Sequence, residues 1–188
     1  MRYLIAVCLA IFATFSQAAS LTDTQKTTLK TVALADPVAS QYVTSPSAEN
    51  DELLAQWFNA ASSFVAWKTS IPVRDIYERT SGTGTTWDWT TYIANTTAAE
   101  RDAWAAMTGN GTLSPALQQV RDAWAKIYSG TGAAVVAQRA HLTAISQRNA
   151  TRAEAALATG TGTAASPGTL IFEGTISQGD ASTIRSLP

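Results

Sequence analysis

The chain has 188 residues, 46% of them hydrophobic, and a formal net charge of −1 from 13 basic and 14 acidic side chains. That length suits one domain with a substantial core, and the balanced charge argues against a polyanion-binding protein. A single cysteine, Cys8, and a single histidine, His141, exclude a disulfide framework and a zinc site of the usual Cys/His type.

Residues 1–18, MRYLIAVCLAIFATFSQA, carry the three parts of a secretory signal: basic Arg2, an apolar run over residues 4–15, and the small residues Ser16 and Ala18 before a cleavage point. The run falls short of the roughly 20 apolar residues of a membrane anchor, so cleavage after Ala18 is expected. The alternative is a start codon placed too early. Val7 stands where a lipoprotein site at Cys8 would need a small residue.

A helical body is expected over residues 19–158. Thr22 with Gln25 has capping-box spacing and opens a helix over residues 23–34, which ends before Asp36-Pro37. A stronger helix follows from residues 46–49, where Leu53, Leu54, Trp57, Phe58, Ala61, Phe64 and Val65 recur on one face. Residues 70–73 read as extended and residues 74–78 as a turn or one helical turn. In residues 86–93 the alternation of Trp87, Asp88 and Trp89 predicts a strand, with both indoles on one side and the carboxylate on the other. Such a strand either covers the helical core or offers a platform for a sugar ring or a base.

Arg101-Asp102-Ala103-Trp104-Ala105 recurs as Arg121-Asp122-Ala123-Trp124-Ala125. Thr97 with Glu100, and Ser114-Pro115, open the two helices, and Gly109 and Gly130 end them, which predicts a helical hairpin. The echo is too short for a repeat protein. A helix over residues 133–147, with Thr151 and Glu154 capping either its continuation or a separate short helix through Ala158, completes the body. Residues 159–188 are expected to supply a Gly/Thr-rich turn, a strand beginning over residues 169–172 and a C-terminal tail. The fold expected is mainly α, a single compact helical domain of about six helices with two or three short β-strands.

Chemistry-bearing patterns are sparse. His141 shares a helical face with Ala137 and Ile145 and reads as a packed, satisfied side chain, and no G-x-S-x-G elbow occurs. Gly160-Thr161-Gly162 follows a helix and precedes a strand, the reverse of the dinucleotide-binding order, so it reads as a turn with positive φ at Gly160. Arg139, Arg148 and Arg152 read as a solvated face or as partners of Glu154 or Glu173. No catalytic residue, cofactor, metal or nucleic acid is expected.

The stretch ATRAEAALATGTGTAASPGTLIFEG, residues 150–174, resembles the C-terminal signature of a family of mostly uncharacterised proteins encoded in the structural gene regions of tailed bacteriophages and prophages. LTDTQKTTLK, FVAWKTSIPVRDIY, ERDAWAAM and the segment ending in YSGTG fit the same family, so the resemblance spans about residues 20–188. It implies a virion-associated accessory of the head, neck or tail that acts through contacts with other phage structural proteins or with itself. The competing expectation, from the signal, is an exported periplasmic or envelope binding module, or a factor that alters the host surface against further infection. The expected interaction surface comprises Trp87, Asp88, Trp89, Thr161, Gly162, Ser166, Pro167, Ser177, Gln178 and Asp180, with residues 161–167 and 177–188 as flexible, partner-facing flanks. The strand between those flanks is expected to pair within the chain.

Overall fold

The computed structural model describes residues 20–82 and 84–188; the signal expected over residues 1–18 lies outside the described residues. In chain order the elements are α1 (Asp23–Ala35), α2 (Ala39–Thr44), α3 (Ala48–Asn59), β1 (Ala61–Trp67), β2 (Ile71–Pro72), α4 (Val73–Glu78), α5 (Trp89–Asn95) and α6 (Ala98–Thr108). There follow β3 (Thr112–Leu113), α7 (Gln118–Ile127), α8 (Ala133–Ile145), β4 (Gln147–Thr151), α9 (Arg152–Leu157) and α10 (Gln178–Ser186). The protein is therefore mainly helical, with short antiparallel strands in two small sheets.

Most buried apolar side chains among the described residues fall into two cores. The first gathers both ends of the described chain: Leu29 and Ala33 of α1, Leu54 and Phe58 of α3, Leu157 of α9, Ile184 of α10, and the connecting Phe172 and Ile176. The second is built from the middle of the chain, around Ile76, Trp87, Trp104, Trp124, Tyr128 and Leu142. Fully burying a side chain such as Leu54 or Phe58 contributes about 1.5–3 kcal/mol. Between the cores runs the antiparallel pair of β1 and β4, in register from Val65 opposite Asn149 to Trp67 opposite Gln147.

Several helix starts follow local chemistry closely, although α7 begins at Gln118 with no side-chain cap rather than at the expected Ser114-Pro115. Capping boxes close at Thr22/Gln25, Thr97/Glu100, Thr151/Glu154 and Ser177/Asp180, each satisfying backbone N–H groups that a helix start leaves without partners. Ends and strands departed from periodicity. The helical face read through Ala61, Phe64 and Val65 stops at Asn59, because the chain beyond it is paired along both edges. β4 lines one edge of β1, while on the other Val65 N–H donates to Gly162 O (2.7 Å) and Trp67 N–H to Gly168 O (3.0 Å). Tertiary pairing here overrides the spacing.

Three further segments differ from expectation. Residues 86–93 are not a strand: Asp88 accepts from Thr90 N–H at 2.9 Å and so caps α5. Nor do residues 169–177 form one. Thr159 and Thr169 exchange a pair of backbone bonds, after which Ile176 is held by the Asn59 side chain, which accepts from its N–H and donates to its O, both at 2.8 Å. The tail expected to be flexible contains α10, whose Ala181 and Ile184 are buried and whose Arg185 grips the buried Asp51 of α3 through bonds of 2.7 and 3.0 Å.

Glycines 162 and 168 let the turn approach β1. A Cβ at Gly162, where φ is +66°, would stand 2.1 Å from the Phe64 ring, and one at Gly168 would stand 2.3 Å from that ring and 2.7 Å from Thr159 O. Gly160, at φ +96°, has the positive φ that the turn reading requires. Gly168→Ala is expected to lower stability by about 1–3 kcal/mol, since the Thr159 carbonyl is backbone and cannot swing aside; a shift of the urea midpoint with unchanged slope checks this. Deleting residues 177–188 is expected to broaden or abolish the cooperative thermal transition by opening the first core, and calorimetry of the truncated chain tests it.

Candidate interaction surface

The residues expected to face a partner fall into three separate parts of the fold. Trp87 sits inside the second core at 7% exposure, ringed by Tyr77, Trp89, Tyr92, Trp104 and Tyr128 with centroid separations of 5.2–6.1 Å. Its nearest to parallel neighbour is Trp104 at 5.7 Å and 18°, and Trp104 Nε1–H donates to Tyr77 Oη at 3.0 Å. Trp87 and Trp89 meet edge to face at 75°, so they form no flat two-ring platform. Trp89 remains 51% exposed, and Ile93, one turn along α5, is 60% exposed. The outward-facing apolar pair is thus Trp89 and Ile93.

The base beneath this pair is firmly held. Buried Gln138 of α8 accepts from Asp88 N–H at 3.0 Å and donates to Thr86 O at 2.9 Å, bracketing the segment that enters α5. Asp88 also accepts from the Thr91 hydroxyl, and this bond, with backbone N–H groups, holds its carboxyl below the usual carboxylate range. Burial pushes the Tyr128 phenol well above its ordinary value. His141 is buried with ring nitrogens 2.9 Å from Thr85 O and 2.8 Å from Ile76 O, and braces α8 against α4 and the loop before α5.

The second group, Thr161, Gly162, Ser166 and Pro167, forms one tight turn. Thr161 Oγ1 donates to Ser166 O at 2.9 Å, and Ser166 N–H donates to Thr163 O at 3.1 Å. Thr161 and Ser166 are exposed, Pro167 is half-buried, and Gly162 is buried against Phe64. The third group belongs to the start of α10: Ser177 and Asp180 cap each other, and Gln178 Nε2 donates to Ala48 O at 2.9 Å. Ser177 and Asp180 thus close the start of α10, and Gln178 ties it to α3.

Sequence spacing left open which partner Arg148 takes, and the structure gives it two. Its guanidinium donates to both oxygens of Glu154 (2.7 and 2.8 Å) and to Glu173 (2.9 Å). Glu154, only 3% exposed, also accepts from Thr151 N–H and Gly174 N–H. Glu173 further accepts from the Thr69 hydroxyl. This cluster binds β4, α9 and the 173–174 turn at the junction of the cores. Burial alone would raise the Glu154 carboxyl; Arg148 and the backbone donors outweigh it and hold it below its ordinary 4.5.

A small polar cavity of about 170 Å³ lies beside the end of α8, where Lys68 Nζ donates to Ile145 O at 2.7 Å and Arg79 pairs with Asp75 at 3.3 Å. Burial, then the Arg79 charge, pushes the Lys68 ammonium down. No group of three or more His, Cys, Asp and Glu among the described residues is arranged to hold a metal ion. No helix among the described residues is long and apolar enough to cross a membrane. No family model matches the chain, and comparison with curated proteins and with solved structures finds no significant match.

Arg148→Leu is expected to cost about 3–5 kcal/mol, because it leaves a buried carboxylate with no counter-charge. The wild-type contribution has a defined pH dependence. The folded carboxyl titrates below the unfolded one, so its stabilisation is complete above about pH 4.5 and is lost as pH falls through the depressed folded value. Urea midpoints measured from pH 7 to pH 3 should therefore fall more steeply for the wild type than for Arg148→Leu.

Proposed function

We propose that this protein is a virion-associated accessory of a tailed phage or prophage, in the head, neck or tail, and that it works through protein contacts. The resemblance over about residues 20–188 motivates the class. The observation that carries the mode of action is the Trp89 and Ile93 pair, exposed on a helix whose start is fixed by Asp88 and Gln138. A rigidly mounted tryptophan beside an aliphatic side chain is the composition of a contact hot spot, since it removes much apolar area from water with little ordering cost. A second reading, an exported envelope factor that binds or alters the host surface, is favoured by the secretory pattern of residues 1–18.

Mass spectrometry of purified particles separates the two. The virion reading expects peptides from residues 20–188 at a fixed ratio to the major structural proteins; recovery from the periplasm with none in particles would sink it. Ile93→Ser is expected to change stability by no more than about 0.5 kcal/mol, as at most exposed sites. Its incorporation into particles, read from the same spectra, should fall severalfold.

A further inference from the structure

The repeated Arg-Asp-Ala-Trp-Ala places the same side chains on α6 and α7. In both copies the tryptophan turns inward, so Trp104 and Trp124 are buried in the second core. The alanine before each, Ala103 and Ala123, lines an open slot between the two helices of about 270 Å³. Its floor is apolar, formed by Trp104, Met107 and Ile127. The α6 wall also carries small side chains where it borders the slot: Ala99, Ala103 and Ala106 are exposed along one stripe, with exposed Asp102 at its outer edge. A solvated helix face ordinarily carries charged side chains, whereas alanines let another helix approach to the 8–10 Å of close packing.

The charges at the rim say what fits. Glu100 stands on the α6 wall and Lys126 on the α7 wall. After the Thr97 backbone and hydroxyl donors and against burial, the Lys126 charge contributes to holding the Glu100 carboxyl low, so the two share one field across the slot. Among the described residues no carboxylate forms an ion pair with Lys126. A rotation of 180° about an axis over the slot exchanges the two walls. It sets the Glu100 wall of each copy against the Lys126 wall of the partner subunit. Under that rotation α6 of each copy lies along α7 of the other, slot facing slot, the self-complementary geometry of a two-fold interface.

We propose that the slot between α6 and α7 is the contact surface for a second copy of this chain, which pairs through a two-fold axis with crossed Glu100 and Lys126 contacts. The inference concerns the chain alone and stands apart from the virion reading.

Sedimentation velocity of the purified full chain over a range of concentrations is the test, with a reversible dimer expected. Ala103→Arg projects a long cation from an exposed position into the slot; it should give a monomer with unchanged circular dichroism. Lys126→Glu sets carboxylates against each other at both rims and should weaken association about tenfold or more. Glu100→Lys should do the same with cations, at some cost to the α6 cap. An equal mixture of the Lys126→Glu and Glu100→Lys chains restores opposite charge at both rims and should associate where neither does alone. A wild type that stays monomeric, including one whose slot instead takes a foreign helix or a small apolar molecule, would overturn the proposal. So would a dimer untouched by Ala103→Arg, or a mixture that fails to associate.

Discussion

β1 has backbone partners on both edges, and that constraint sets the arrangement of the rest. On one side β4 returns the chain from the second core; on the other, Gly162 and Gly168 bring the 160–168 turn close enough to accept from Val65 and Trp67. The approach depends on the absence of side chains at those glycines, since the Phe64 ring fills the space where their Cβ atoms would be. A buried backbone without partners would cost as much as a lost hydrogen bond at every group. The Gly/Thr-rich turn thus has a definite physical task, which is to complete the second edge of the strand that joins the two cores.

The Arg148 cluster secures the same junction by charge. Arg148 lies on β4, Glu154 on α9 and Glu173 just beyond the turn, so one guanidinium ties three segments together. Glu154 has two tasks, since one of its oxygens also closes the α9 capping box. A carboxylate that deeply buried is tolerated only because guanidinium and backbone N–H groups replace its water on every side.

Helix starts were legible because a cap is a local event between residues three apart. Thr22/Gln25, Thr97/Glu100 and Thr151/Glu154 all closed as their spacing indicates. The signal missed at α5 was equally local: Asp88 before two threonines is an N-cap, yet the alternation of Trp87 and Trp89 imitates a strand. Ser177 with Asp180 was likewise present in the sequence, although aspartate at the third position is a less familiar capping-box partner than glutamate or glutamine. Other features were not local. Nothing near Ala61 indicates that its strand will meet residues 147–151 and 162–168, and the slot between α6 and α7 exists only once Trp104 and Trp124 have turned to the same core.

The aromatic cluster connects this architecture to the contact reading. The five aromatic side chains around Trp87 bury a large apolar area with it, and edge-to-face pairs add about 0.5–1.5 kcal/mol each beyond area alone. With Trp87 and Tyr128 buried and Gln138 bracketing the entry to α5, Trp89 cannot withdraw into the core without displacing rings already packed there. Tyr77 at 4.9 Å and Tyr92 at 5.8 Å fix its plane from two sides. A half-exposed indole held in one orientation loses little freedom when a partner covers it. The packing that stabilises the second core therefore also lowers the entropic cost of any contact made through Trp89 and Ile93.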